Sequence, residues 1–114
     1  MNGKFVEKRR FPRIPYNSQI RYQVRGSKDF DNVLGKDISS GGLRFSNDEY
    51  IAPKTVLMME VNILAKVLNF IGKVSWTEPL PHANDYQFGV EFLETDCNNM
   101  NFLNDFIDMQ LANH

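Results

Sequence analysis

Few residues in this 114-residue chain could carry covalent or metal chemistry. There is one cysteine, Cys97, so no internal disulfide can form. Together with His82 and His114 it makes three Cys/His groups, short of the four that a structural zinc site usually takes. The longest apolar run is the four residues Val56-Leu57-Met58-Met59, which excludes a transmembrane helix. Met1-Asn2-Gly3-Lys4-Phe5 leads into charge rather than an apolar signal-peptide core. The expectation is therefore a cytoplasmic protein, where reducing conditions suit a lone thiol. Basic residues are absent after Lys73.

What is present is enough for one folded domain. Hydrophobic residues are 42% and charged residues 24%, close to the globular average, so a packed core is expected and no disulfide or metal staple is required. The net charge of −1 hides a strong polarity. Residues 1–28 hold eight Lys/Arg and one Glu, residues 29–73 five basic and six acidic groups, and residues 74–114 seven acids. The front of the chain suits an anionic partner, and the acidic back argues against the whole surface lying on nucleic acid or membrane.

Residues 1–14 read as a basic arm, because Pro12 and Pro15 prevent a regular helix around them. Residues 15–114 then read as the domain proper. Ile20, Tyr22 and Val24 alternate with polar residues, a half-buried strand closed by a turn at Gly26-Ser27-Lys28-Asp29. A second strand is expected over about Asp31–Asp37. After the small-residue turn Asp37-Ile38-Ser39-Ser40-Gly41-Gly42 comes a third, through Leu43 and Phe45. Residues 55–65 and 67–76 read as two long paired strands broken by Pro79 and Pro81, and Tyr86, Phe88, Val90 and Phe92 as the last. The period then changes. Phe102, Leu103, Phe106, Ile107 and Met109 or Gln110 share one face of a helix that Thr95 or Asp96 can cap. About six short strands without βαβ alternation predict an all-β-dominated fold, an antiparallel sheet closed into a barrel, with one C-terminal amphipathic helix.

Catalysis finds little support. His82 lies in a Pro- and Asn-containing loop, His114 is terminal, and the acids show no pairing visible in sequence. Cys97 starts a helix, which could lower a thiol pKa, but the plainer reading is a small buried residue. No phosphate loop, dinucleotide fingerprint or metal-ligand cluster is present, so no enzyme, cofactor or metal is expected.

Two constellations remain. Lys8-Arg9-Arg10-Phe11-Pro12-Arg13 carries three guanidiniums on a non-helical arm, each able to fork onto phosphate oxygens or guanine O6 and N7, or to stack on a base. Asp37-Ile38-Ser39-Ser40-Gly41-Gly42 offers a carboxylate for the guanine N–H edge, a hydroxyl, and glycines that admit a ligand to the backbone. Taken singly, the first is equally a solvated tail and the second an ordinary tight turn.

Together, Arg9-x-x-x-Arg13 followed by Asp37-x-Ser39-x-x-Gly42 resembles the two signature motifs of PilZ domains. Gly72-Lys73-Val74-Ser75-Trp76 and Gln87-Phe88-Gly89-Val90-Glu91-Phe92 look like that family's late strands, so the resemblance runs from about Glu7 to Leu111. It implies a six-stranded antiparallel β-barrel that binds cyclic di-GMP, a bacterial second messenger. By the same resemblance Arg9 and Arg13, joined by Arg10, grip phosphate and guanine. Asp37 and Ser39 hydrogen-bond a guanine, and Gly42 shapes the turn against it. Lys8 holds the place of a basic residue that accompanies a stacked ligand pair in some members. Gly41 and Trp76 are further candidate contacts, Trp76 being equally readable as a barrel residue.

The implied mechanism is that ligand orders residues 5–14 and so presents a surface to a downstream protein. Two other classes compete with it. One is a PilZ-like protein-interaction module that works without nucleotide. The other is a small nucleic-acid-binding domain using the arm, against which the acidic tail argues.

Overall fold

A computed structural model describes residues 12–113. Seven strands and one helix follow in order: β1 (Ile14–Pro15), β2 (Gln19–Val24), β3 (Phe30–Ser39), β4 (Gly42–Asn47), β5 (Val56–Ile63), β6 (Lys66–Pro79), β7 (Tyr86–Glu94) and α1 (Cys97–Ala112). Six of the strands close a ring of antiparallel pairs, β3-β2-β5-β6-β7-β4 and back to β3. The two-residue β1 pairs with Ile38 and Asp37, a stretch of β3 that lies beyond its partnership with β2. Closure leaves no long unpaired edge, the usual route to sheet-to-sheet aggregation.

The period-two alternation of the sequence becomes rows of side chains crossing the barrel interior. Ile20, Val61 and Leu68 form one row, and Tyr22, Met59 and Phe70 the next, and all six are buried. On the opposite wall Leu43, Val90 and Val74 align, followed by Phe45 and Phe88. Tyr22, Phe45 and Phe88 pack in sequence with ring centroids 5.2 and 5.1 Å apart, a tilted geometry favoured by aromatic quadrupoles. Tyr22 keeps its hydroxyl satisfied by accepting from Asn47 Nδ2 at 2.7 Å. Tyr16 does so by donating to the Asn62 carbonyl at 2.6 Å. Burial pushes both phenols up to about 12.

Two strands run differently from the sequence expectation. β6 does not stop at Trp76 but continues to Pro79, which pairs with Tyr86. Register shifts at Ile71/Gly72 and Val74/Trp76 bend β6 so that it follows the curving β7, and Pro79 is tolerated because it sits at the strand end. β3 likewise extends to Ser39, leaving Ser40-Gly41 as a two-residue hairpin loop to β4.

The helix is capped by Asp96, whose carboxylate accepts from the Asn99 amide at 2.7 Å. Leu103 and Ile107, one turn apart, are its buried residues, and they join the core cluster that also holds Ile14. Phe102 and Phe106 pack beside them half-buried, while Met109 is exposed, so the face closes on Gln110 rather than Met109. Cys97 is exposed, which corrects the reading of a small buried residue. It lies six positions before Leu103, and at 3.6 residues per turn that turns it away from the buried stripe. Among the described residues no helix is long and apolar enough to cross a membrane.

Candidate functional site

The Asp37–Gly42 segment is the end of β3, its hairpin loop and the start of β4. A two-residue loop fixes the register, so Ser39 pairs with Gly42 and Asp37 with Arg44. The rows continue into the neighbouring strands. Arg44 pairs with Gly89 on β7, and Gly89 with Trp76 on β6. Asp37, Arg44, Gly89 and Trp76 therefore lie side by side across four strands. On the other flank β1 runs antiparallel to β3, and Arg13 immediately precedes it.

Asp37 is the centre of this arrangement. Its carboxylate is almost fully buried, with only 10% of the side chain exposed, and both oxygens are engaged. Oδ1 accepts from Arg13 Nη1 at 2.8 Å, and Oδ2 from Arg44 Nε at 2.7 Å, with Arg44 Nη2 also in contact. Two cations around one buried anion compensate its desolvation and leave a net positive cluster. The hydrogen bond that Arg44 donates to Asp37 raises the Arg44 pKa above its ordinary value, overcoming an opposing desolvation. Ser39 is also buried, and its hydroxyl closes the loop: Oγ accepts from the Gly41 amide at 3.1 Å and donates to the Gly42 carbonyl at 3.3 Å.

Two glycines are dictated by close approach. A Cβ on Gly42 would stand 2.0 Å from the Val90 carbonyl oxygen, so only hydrogen fits between β4 and β7. A Cβ on Gly89 would stand 2.2 Å from Trp76 Nε1, because the indole lies flat across that gap. The result is an open cleft of about 400 Å³ whose walls include Arg13, Ser39, Gly41, Gly42, Trp76 and Glu91. It offers a guanidinium, an aromatic surface, a carboxylate and exposed backbone. That set suits a planar, hydrogen-bonding, anionic ligand.

Of the residues singled out in the sequence, Arg13, Ser39, Gly41, Gly42 and Trp76 share this cleft, and Asp37 holds Arg13 at its edge. Lys8, Arg9 and Arg10 lie outside the described residues. Sequence reading missed Arg44 and Glu91. Arg44 was accessible in principle, since a two-residue loop at Ser40-Gly41 puts it directly opposite Asp37. Glu91 enters only through the β4–β7 pairing, which joins segments nearly fifty residues apart and carries no local signal. Among the described residues no group of three or more His, Cys, Asp or Glu could hold a metal ion.

The sequence matches the PilZ domain family over residues 7–108. No curated protein matches the chain. Several solved structures share its fold. The Bacillus subtilis inhibitor of motility, MotI/DgrA, superposes with a TM-score of 0.77 at 14% identity over 90% of this chain. The chain spans about half of that protein, 51% of its length. The PilZ domain of YcgR from Escherichia coli, solved with c-di-GMP, gives 0.72 at 16% identity, covering 93% of this chain and 92% of that one. The Borreliella burgdorferi PlzA protein, in complex with c-di-GMP, gives 0.60 at 15% identity over 83% of this chain and 39% of its own. At such identities the likeness is one of fold.

Proposed function

The chain belongs to the PilZ domain family, and from that premise we propose that it is a receptor for cyclic di-GMP, a cytoplasmic binding protein with no catalytic step of its own. One observation carries the proposal. Arg13 and the Ser39–Gly42 hairpin, distant in sequence, are held at a single cleft beside Trp76. The YcgR and PlzA structures, of the same fold, contain c-di-GMP.

In this reading Arg13 reaches a phosphodiester or guanine from its position on Asp37, and Arg9 and Arg10 join it from the arm. Each guanidinium contributes charge-assisted hydrogen bonds of roughly 1.5–3 kcal/mol. Asp37 and Ser39 serve a guanine directly or by fixing Arg13 and the hairpin. Glu91 adds an acceptor for the guanine N1–H and N2–H₂ edge. Gly41 and Gly42 admit the ligand to the backbone, and Trp76 offers a face for a base. Lys8 brings further charge and is the residue on which a second, stacked ligand would depend. Residues 5–14 form the arm in this reading: Arg13 and Ile14 are already held on Asp37 and in β1, and the ligand orders the rest, at about 1–2 kcal/mol per residue fixed. The ordered arm then forms a surface for a downstream protein.

Calorimetric titration with cyclic di-GMP tests this. Wild type should bind with one or two ligands per chain, and Arg13→Ala and Asp37→Ala should each weaken binding by at least tenfold, about 1.4 kcal/mol. Wild-type protein that gives no heat at millimolar nucleotide, or variants that bind as wild type does, would remove the proposal. Amide exchange of residues 5–14 tests the ordering step, which fails if protection is the same with and without ligand.

A further inference from the structure

A second and larger groove, of about 1000 Å³, crosses β3, β2, β5, β6 and β7 and ends at the start of α1. Three of its residues, Phe30, Met58 and Leu93, are large apolar side chains left 42, 44 and 46% exposed along one groove, and apolar surface gathered in this way marks an interaction site. Its charged residues are Glu60, Glu94 and Asp96, and no Lys or Arg lines it. Glu60 is 3.7 Å from Arg21, and Asp96 caps the helix, but Glu94 has no ion-pair partner among the described residues. Arg21 also lies over Phe30 at 3.9 Å from the ring centroid, so this surface already accommodates one stacked guanidinium.

We propose that the groove is the docking site of residues 4–10 of the same chain, with Phe5 and Val6 on its apolar floor and the flanking cations facing its acids. The segment Lys4-Phe5-Val6-Glu7-Lys8-Arg9-Arg10 has the matching pattern, an apolar pair between basic residues. Residues 1–10 carry four basic groups and one acid against the groove's three acids. Reach is sufficient. The described chain begins beside the ligand cleft, where Arg13 contributes, and that cleft and the groove share Phe92. Eight residues separate Phe5 from Arg13, and an extended chain covers at most about 29 Å in that distance. A tether so short gives an effective concentration in the ~mM range, so even a weak contact is substantially occupied. Free protein from outside would have to compete with it.

The contact requires no ligand and does not rest on the receptor reading. If both hold, nucleotide and groove compete for one arm: the ligand transfers it from the groove to the cleft, which uncovers the groove, and the ordering cost is then the difference between the two docked states.

The test compares amide spectra of the nucleotide-free 114-residue chain at low salt with those of a Phe5→Ser/Val6→Ser variant. Unchanged resonances of core residues such as Ile20 and Phe88 would report that the fold is intact in the variant. The expected result is a set of shifts confined to groove amides, including Asn69, Leu93 and Cys97, with none around Tyr50 on the far rim. Leu93→Ser should shift the Phe5 and Val6 amides in return. These shifts should persist on dilution and shrink in high salt. Groove amides that do not respond to the arm substitutions would overturn the proposal. So would shifts that disappear on dilution, because the occupant would then be the arm of a second copy.

Discussion

The carboxylate of Asp37 is held by two arginines that are not equivalent, and their removal should have unequal consequences. Arg44 reaches Oδ2 through both Nε and Nη2 and leaves 37% of its side chain exposed, whereas Arg13 gives Oδ1 one hydrogen bond and is 49% exposed. Breaking a fully buried ion pair costs about 3–5 kcal/mol, and an exposed pair is worth about 0–1 kcal/mol. With one partner nearly buried and the other partly solvated, Arg44→Ala should fall between them, at ~1–2 kcal/mol. Arg13→Ala, discounted further for solvent screening, should cost ~0.5 kcal/mol. In urea, with a slope of about 1–1.5 kcal/mol per molar for a domain of this size, these are midpoint shifts of about 1 M and under ~0.5 M. Double-mutant cycles with Asp37→Asn isolate the couplings, expected at ~1–2 kcal/mol for Arg44 and at most ~0.5 kcal/mol for Arg13. Equal couplings, or an Arg44→Ala protein as stable as wild type, would refute the view that Arg44 is the structural anchor and Arg13 the releasable partner.

Three other outcomes follow from the same geometry. Leu64 and Ala65 form the β5–β6 loop with φ of 51° and 66°, a left-handed pair suited to Asn-Gly. Leu64→Asn/Ala65→Gly should therefore raise stability by ~1–2 kcal/mol in a urea melt, and an unchanged midpoint would count against a strained loop. Tyr16 and Tyr22 have folded pKa values near 12 against an ordinary 10, so the stability they confer is complete below about pH 10 and is lost as the pH rises through about 12. Tyr22→Phe should flatten that alkaline decline by up to ~1.4 kcal/mol per pH unit, and an identical pH profile would contradict the assignment. Gly42→Ala meets a backbone carbonyl and Gly89→Ala a movable indole, so the first should destabilise by more than ~2 kcal/mol. The second should chiefly alter the fluorescence of Trp76, the only tryptophan, and the reverse ranking would disprove the close-approach argument.

Alternation of apolar and polar residues is a local property of the chain, and it located the strands because a sheet presents every second side chain to one face. The inward rows containing Ile20, Tyr22, Phe45, Val74, Phe88 and Val90 were all legible in this way. So was the capped helix, whose Asp96 and three- to four-residue spacing are equally local. The ends of elements were less legible. Pro79 reads as a breaker until the bulged β6 is seen to carry it to a strand terminus. Cys97 reads as a small buried residue until the helix phase turns it outward.

The order and faces of the elements, the polarity of charge and the two motifs are written in the linear chain, each a matter of neighbours within a few positions. Which of those segments adjoin is fixed by folding. It placed Arg44 on Asp37, brought Glu91 and Trp76 to the hairpin through the β4–β7 and β6–β7 pairings, and left Phe30, Met58 and Leu93 uncovered together. Strand pairing is a long-range choice. It is selected by closing the ring and burying the whole core at once, so no stretch of chain encodes its partner alone.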